Sequence, residues 1–242
     1  MKHVVHPVAL LRKQSAVASG ERLEVAAKSN ELSVPSPDVS RDSLPATASS
    51  KAKPLLFGFY GFARHEQGVD VLMEALEILQ RRGEMNAEFR VLWPQGFRLP
   101  DGRWLERSLF EHLAPAVVFL DRPIDPEEYL QVLADTDWLL LPYRINSYEG
   151  RRSRISVEAC ILGIPAVYTR GTDLEDVFGT HGAGISVAEE NPEALAEAIR
   201  VAVNEHDTFR RQALERRAQA QEFYSGQRFI EQIREAFAQR GH

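Results

Sequence analysis

Short apolar runs punctuate this chain at Leu55–Phe62, Phe89–Pro94, Val117–Asp121, Trp138–Tyr143, Ala166–Thr169 and Gly184–Val187. Each is too short for a core helix and nearly continuous, the pattern of a strand buried on both faces. Between them the apolar spacing turns helical, as at Val69, Leu72, Met73, Leu76 and Leu79. A helix is expected over Leu105–Leu113, a second from a cap at Asp125 and a Pro126 start to about Ala134, and a third opened by Asn191 and Pro192 and running to about Asn204. Asp173 is expected to cap a short turn, LEDVF. Two arginine- and glutamine-rich helices, separated near Tyr224–Gly226, finish the chain. Strands alternating with helices predict an α/β fold with a doubly wound, Rossmann-like parallel sheet, because parallel neighbours need crossovers that place helices on both faces.

The segment Trp138–Thr169 carries the densest information: strand, polar loop, helix, strand. Its helix is expected over Arg154–Leu162, with Ser153 as a hydroxyl N-cap and Gly163 followed by Pro165 as the stop. Within that helix Glu158 is a lone carboxylate among apolar residues, and a buried carboxylate costs several kcal/mol unless it finds partners. The loop ahead of it holds Arg144, Arg151, Arg152 and Arg154, with Glu149 among them, in a chain of formal charge -6. These cations stand against the background sign, where a helix start already favours an anion. In open α/β sheets ligands bind beyond the carboxyl ends of the strands. The loops Gly61–Gly68, Trp93–Gly96, Asp121–Asp125, Tyr143–Ser153 and Thr169–Asp173 all fall on that edge.

Composition narrows the classes. With 242 residues, 44% of them apolar, the chain has material for one substantial core. From Met1 to about Lys53 it turns rich in Ser, Pro and Ala, which reads as a linker, with a weak helix at Val8–Ala18 and a short strand at Leu23–Ala27. The domain proper is expected over 54–242. A mixed surface charge argues against a general nucleic-acid binder. The single cysteine, Cys160, sits among apolar neighbours as a core thiol. No run approaches the roughly 20 apolar residues of a membrane span, and a cytoplasmic location is the expectation.

Two nucleotide motifs fail on spacing. Gly58 and Gly61 give GxxG rather than GxGxxG, and no GxxxxGK[ST] occurs. His65, His112 and His181 are scattered, so no metal-ligand cluster is expected.

Set in order, GFYGFARHEQGVDVLMEALEIL, VVFLDRPIDPEEYLQVLADTDWLLLPYR, SVEACILGIPAVYT and GAGISVAEENPEALAEAI resemble the C-terminal, donor-binding domain of GT-B glycosyltransferases, especially the family 4 retaining enzymes. The similarity covers about Pro54–Ala202. It implies a site for a nucleotide-diphosphate sugar, UDP- or GDP-linked, with no cofactor and no metal required. By that resemblance Glu158 binds the ribose hydroxyls. Arg152, Ser153, Arg154 and Ile155 border the sugar and diphosphate, and Gly61, Arg64, Gln67 and Gly68 form the loop under the phosphates. Arg152 and Arg154 add charge-assisted bonds, or else are solvated loop arginines.

Departures accompany the matches. The family's first loop carries an Arg and a Lys where this chain has Phe62 and Gln67, and Arg64 is the available substitute. Glu149 and Glu158 lie one residue further apart than the family's glutamate pair, so Glu149, the catalytic candidate, is shifted or the first glutamate is missing. Residues 1–53 resemble the last piece of an acceptor-binding N-terminal domain. The resemblance therefore implies a transferase that moves a sugar to a glycan or lipid acceptor and whose acceptor half lies in a separate domain or subunit. A non-catalytic nucleotide-sugar-binding subunit and an unrelated flavodoxin-like interaction domain are the alternatives.

Overall fold

The computed structural model describes residues 53–231 and Arg234. The expectations for the linker, the helix and the strand of residues 1–53 lie outside the described residues, and a compact unit begins at Pro54. Its elements are β1 (Leu55–Phe59), α1 (Val69–Arg82), β2 (Ala87–Leu92), β3 (Phe97–Arg98), β4 (Trp104–Leu105), β5 (Val117–Leu120), α2 (Pro126–Ala134), β6 (Trp138–Leu141), α3 (Ile145–Tyr148), α4 (Arg154–Leu162), β7 (Ala166–Thr169), α5 (Asp173–His181), β8 (Gly184–Val187), α6 (Pro192–Asn204) and α7 (His206–Phe223).

Six strands form one parallel sheet in the order β5-β2-β1-β6-β7-β8. The central strands β6 and β7 are buried at every position, which is why their sequences show no polar alternation. Side chains still alternate between faces. Trp138, Leu140 and Val167 join Phe57 and Phe59 in a core against α1 and α6. Leu139, Leu141, Ala166 and Tyr168 face a second core with Ile155, Ala159 and Cys160 of α4 and Val177 and Phe178 of α5. The sheet thus lies between two helical layers.

Helix α7 is polar along most of its length and is held by hydrogen bonds. Arg210 donates to the Gly163 carbonyl at 2.6 Å and Gln221 to that of Ile161 at 3.0 Å. Arg216 donates to the carbonyls of Gly179 and Gly182 at 3.0 and 2.6 Å. These side chains satisfy carbonyls at the ends of α4 and α5 that have no partner within their own helices.

The chain departs from the sequence expectation in three places. Over Leu105–Leu113 there is no α-helix: Trp104–Leu105 is a strand, and Arg107–Leu113 is 3₁₀ with Phe110 out of helical geometry (φ -119°, ψ 15°). Strand β4 pairs antiparallel with β3 through a Pro-Asp-Gly turn, in which Gly102 takes φ 89°. Helix α5 is longer than the LEDVF turn, and its N-cap position is Thr172 rather than Asp173. Asp125, by contrast, caps α2 as its sequence requires, accepting from the N–H groups of Glu127 and Glu128 at 2.9 and 3.0 Å.

From β1 the chain moves outward to β2 and β5, then returns to place β6 on the other side of β1. The direction of winding reverses between β1 and β6. In folds of this kind such a reversal marks the crevice, beyond the carboxyl ends of the two strands, where ligands bind.

Candidate functional site

Two loops border this crevice: residues 60–68 after β1 and residues 142–153 after β6. They are fastened to each other. The Arg144 N–H donates to the Glu66 carbonyl at 3.0 Å, and Gln67 Nε2 donates to the Tyr148 hydroxyl at 3.2 Å. Gly68 takes φ 69°, and a Cβ there would collide with the carbonyl oxygen of Pro142. Gly61 has its open side filled by the Gln67 carboxamide, with Oε1 2.5 Å and Nε2 2.7 Å from where a Cβ would stand. The loop was expected to lie under the phosphates, with Gly68 allowing the close backbone approach. What approaches them here is the protein itself: Gly68 is required for the packing of one loop on the other, and Gly61 makes room for a side chain of its own loop.

The arginines divide into paired and unpaired. Arg144, with its side chain only 11% exposed, lies between Asp70 at 2.8 Å and Glu190 at 3.0 Å. Glu189 accepts from the Ile145 N–H at 2.7 Å, so the stretch after β8 braces the start of α3. Arg152 donates to Asp173 of α5 at 3.1 Å. Among the described residues, the two arginines of these loops without a carboxylate partner are Arg64, whose guanidinium lies 5.4 Å from the Phe62 ring centroid, and Arg151, 5.4 Å from that of Tyr148. Tyr148 also stacks on Tyr143, with centroids 4.2 Å apart.

Helix α4 spans Arg154–Leu162, as its sequence predicts, and ends at Gly163 with φ 71°. Ser153 occupies the N-cap position without capping through its side chain. Its hydroxyl lies 3.5 Å from the Tyr143 hydroxyl instead, and its carbonyl accepts from Ser156 Oγ at 2.7 Å. The first-turn N–H groups of α4 are therefore claimed by no capping side chain. Ile155 is buried in the second core.

Glu158 is 3% exposed, and its carboxylate is satisfied inside the chain. Arg154 Nε donates to Oε1 at 2.7 Å, and the Tyr129 hydroxyl donates to Oε2 at 2.6 Å. The Arg154 guanidinium also lies 5.7 Å from the Tyr129 ring centroid. Burial, reinforced by the Glu158 charge, pushes the Tyr129 phenol well above its usual range, so it stays a donor. The need for a partner was legible in the sequence, and a ribose was expected to meet it. Within the chain, Tyr129, on a different helix, and Arg154, one turn away, supply partners.

Glu149 is exposed at the end of α3, and its carboxylate has no hydrogen bond or ion pair among the described residues. Cys160 is buried among apolar side chains, and desolvation pushes its thiol up to about 12, the environment of a core thiol. Sequence reasoning missed Tyr129 and Tyr148. The second lies three residues before Arg151 in the loop already singled out, a signal that was available.

A sequence profile for the family described as "Glycosyl transferases group 1" matches residues 54–205. The chain belongs to that family. A relative within reach of sequence comparison is the D-inositol 3-phosphate glycosyltransferase of Corynebacterium urealyticum, 29% identical over 160 residues, which cover 63% of this chain and 35% of that protein. Among solved structures, sucrose-phosphate synthase from Thermosynechococcus elongatus superposes with a TM-score of 0.58 at 20% identity, covering 77% of this chain and 45% of that one. Anabaena Alr3699/HepE, solved in complex with UDP-glucose, gives 0.59 at 17% identity, covering 77% and 49%. The chain spans between about a third and a half of the length of these proteins. Its fold is that of the C-terminal domain of a GT-B glycosyltransferase, as the ordered motifs imply. Among the described residues no helix is long and apolar enough to cross a membrane, and no three His, Cys, Asp or Glu side chains converge as a metal site requires.

Proposed function

We propose that this chain is the donor-binding half of a retaining glycosyltransferase, holding a UDP- or GDP-linked sugar in the crevice between β1 and β6. The observation that carries the reading is the placement of two carboxylate-free arginines, Arg64 and Arg151, on the two loops at the winding reversal of a group 1 fold. Helix α4 begins directly after the second of these loops, and no side chain caps its first turn. The complex of Anabaena Alr3699/HepE with UDP-glucose lends support from a distant relative of the same fold.

In this reading the nucleoside diphosphate is the leaving group. As the bond between the sugar and the diphosphate breaks, charge accumulates on the phosphate oxygens, and preorganised cations and N–H donors stabilise it. Removing one such donor typically costs about 3–4 kcal/mol of activation free energy. The scheme assigns that neutralisation to protein groups and calls on no resident metal. Arg152 and Arg154 are bound to Asp173 and Glu158 through Nε, which leaves their terminal N–H groups as donors for the ligand. Each Glu158 oxygen takes one donor inside the chain, from Arg154 and Tyr129, and each has a second lone pair with which to accept from a ribose hydroxyl. Glu149, exposed and unpaired, is the carboxylate free to address the donor sugar.

A second reading, a nucleotide-sugar-binding subunit that is inactive until joined by an acceptor half, is favoured by the neutral Phe62 and Gln67. Calorimetric titration with UDP, GDP and their glucose conjugates tests what the two readings share. Binding that weakens about tenfold or more in Arg151→Gln supports it, and failure of every nucleoside diphosphate to bind sinks it. Turnover with candidate acceptors, with and without cell extract, then separates the readings.

A further inference from the structure

The Glu158 carboxylate is held by two side chains that reach it from different helices. Arg154, one turn earlier on α4, donates through Nε to Oε1 at 2.7 Å, and Tyr129 of α2 donates to Oε2 at 2.6 Å. The Arg154 guanidinium lies 5.7 Å from the Tyr129 ring centroid, so the two donors also rest against each other and the three side chains close a triangle. The last torsion of a glutamate is broad, and a carboxylate with one anchor turns about it. A donor on each oxygen, from two elements, fixes its plane.

Tyr129 is itself placed before it meets Glu158. Its N–H donates to the carbonyl of Asp125, the cap of α2, at 2.8 Å, and its ring packs against the second core. The adjacent Glu128 accepts from both terminal nitrogens of Arg122, at 2.8 and 2.7 Å, which ties the first turn of α2 to the loop after β5. Stability alone does not call for such a triangle, because apolar residues of similar volume in place of a buried ionic group are often as stable or more so. What it supplies is a rigid pair of acceptors. An ionised carboxylate has about four acceptor positions, and among the described residues one on each oxygen is taken. The vicinal hydroxyls of a ribose are a matching pair of donors.

We propose that Tyr129 and Arg154 are positioning residues that orient the Glu158 carboxylate for a ribonucleotide, so that the triangle sets the preference of this site for ribose over deoxyribose. The proposal rests on the donor-binding reading and adds to it a role for α2, which that reading leaves out. Tyr129 acts only through Glu158. Arg154 acts through Glu158 by its Nε and keeps its terminal N–H groups for the phosphates, so its removal weakens every nucleotide and, separately, the discrimination between sugars.

The readout is a ratio of affinities, which a merely structural role would not move. The full chain is titrated by calorimetry with UDP and GDP and with the 2′-deoxy and 3′-deoxy forms of each. For the nucleotide that binds, the ribose form is expected to bind about tenfold or more tighter than a deoxy form, the worth of a hydrogen bond to a charged group. Tyr129→Phe and Arg154→Met each bring that ratio down to about twofold or less, the loss of most of that bond. Arg154 is half exposed, so Arg154→Met reads the same carboxylate even where Tyr129→Phe does not fold. In a Glu158→Gln background, Tyr129→Phe changes the ratio no further. Arg216→Ala, which loosens α7 far from the triangle, leaves the ratio as it is. A full ratio retained in both Tyr129→Phe and Arg154→Met overturns the proposal while the donor reading survives. So does a lowered ratio in Arg216→Ala, or a further fall on adding Tyr129→Phe to Glu158→Gln. Equal binding of ribose and deoxyribose forms by the unaltered chain overturns it as well and leaves the diphosphate site standing. Failure of every nucleotide to bind removes the donor reading and this proposal with it.

Discussion

Replacing Gly68 by Ala tests whether the two crevice loops are packed through that glycine. Two costs are involved, and the fold contains a control that separates them. Gly68 and Gly83 have nearly the same backbone, φ 69° and 70°, but a Cβ at Gly83 meets nothing within 4 Å, whereas one at Gly68 meets the Pro142 carbonyl. Forcing alanine into the left-handed region costs about 1–2 kcal/mol, and that is the whole expected effect of Gly83→Ala. At Gly68 a backbone oxygen cannot rotate away, so one loop must shift, which adds an overpacking cost of about 1–3 kcal/mol. Urea unfolding followed by circular dichroism reads both. With a slope of about 2 kcal/mol per molar urea, Gly83→Ala lowers the midpoint by about 0.5–1 M and Gly68→Ala by about 1–2.5 M. The displaced loop also weakens UDP binding at least tenfold in Gly68→Ala, with Gly83→Ala unaffected. Equal midpoints for the two variants would refute the claim that the loops are locked together at this point.

Three further outcomes follow from the contacts. Tyr129→Phe leaves one oxygen of a buried carboxylate without its donor and is expected to cost about 1–3 kcal/mol in urea unfolding; an unchanged midpoint would mean that Glu158 finds another partner. Arg216→Ala frees carbonyls at the end of α5 and loosens α7, for an expected loss of about 1.5–3 kcal/mol and faster hydrogen exchange over the α5 C-terminus, which would stay slow if the contact were idle. His181 is held below its usual pKa by burial and then by Arg152, and its ring stacks on Phe223 at 4.3 Å. Its neutral form belongs to the folded state, so its contribution is complete above the unfolded value of about 6.5 and is lost as the pH falls through the lower folded value. His181→Phe should flatten the fall of stability across that window, and an unchanged pH profile would show that the imidazole does not titrate with unfolding.

Much of the sheet could be read from local signals, because β6 and β7 owe their limits to runs of buried residues bounded by turn formers. Helix α4 was equally plain, since Gly163 and Pro165 fix its end whatever surrounds it. The β3–β4 hairpin escaped because each strand has only two residues, too few to show alternation. Its turn signal, Pro100-Asp101-Gly102, was nevertheless present. Within the site, residue positions were more legible than their bonds. Ser153 lies at the N-cap, but its side chain makes no capping bond, and its hydroxyl instead lies near Tyr143. The cationic loop was visible, yet Arg144 and Arg152 are paired with Asp70 and Asp173, residues remote in sequence. No periodicity encodes such pairings, and the same holds for Tyr129 against Glu158, which meet only because α2 and α4 lie on the same face of the sheet.

The central claim is that a pyrophosphate group sits between the loop after β1 and the loop after β6. Amide and arginine side-chain resonances of the full chain, followed by NMR during titration with UDP and GDP, address it most directly. The account predicts saturable shifts concentrated at Gly61–Gly68 and Tyr148–Ile155, with the Arg64 and Arg151 side chains among the most affected, and their loss in the double variant Arg64→Gln, Arg151→Gln. Shifts confined to another face of the domain, or none with either nucleotide, would contradict it.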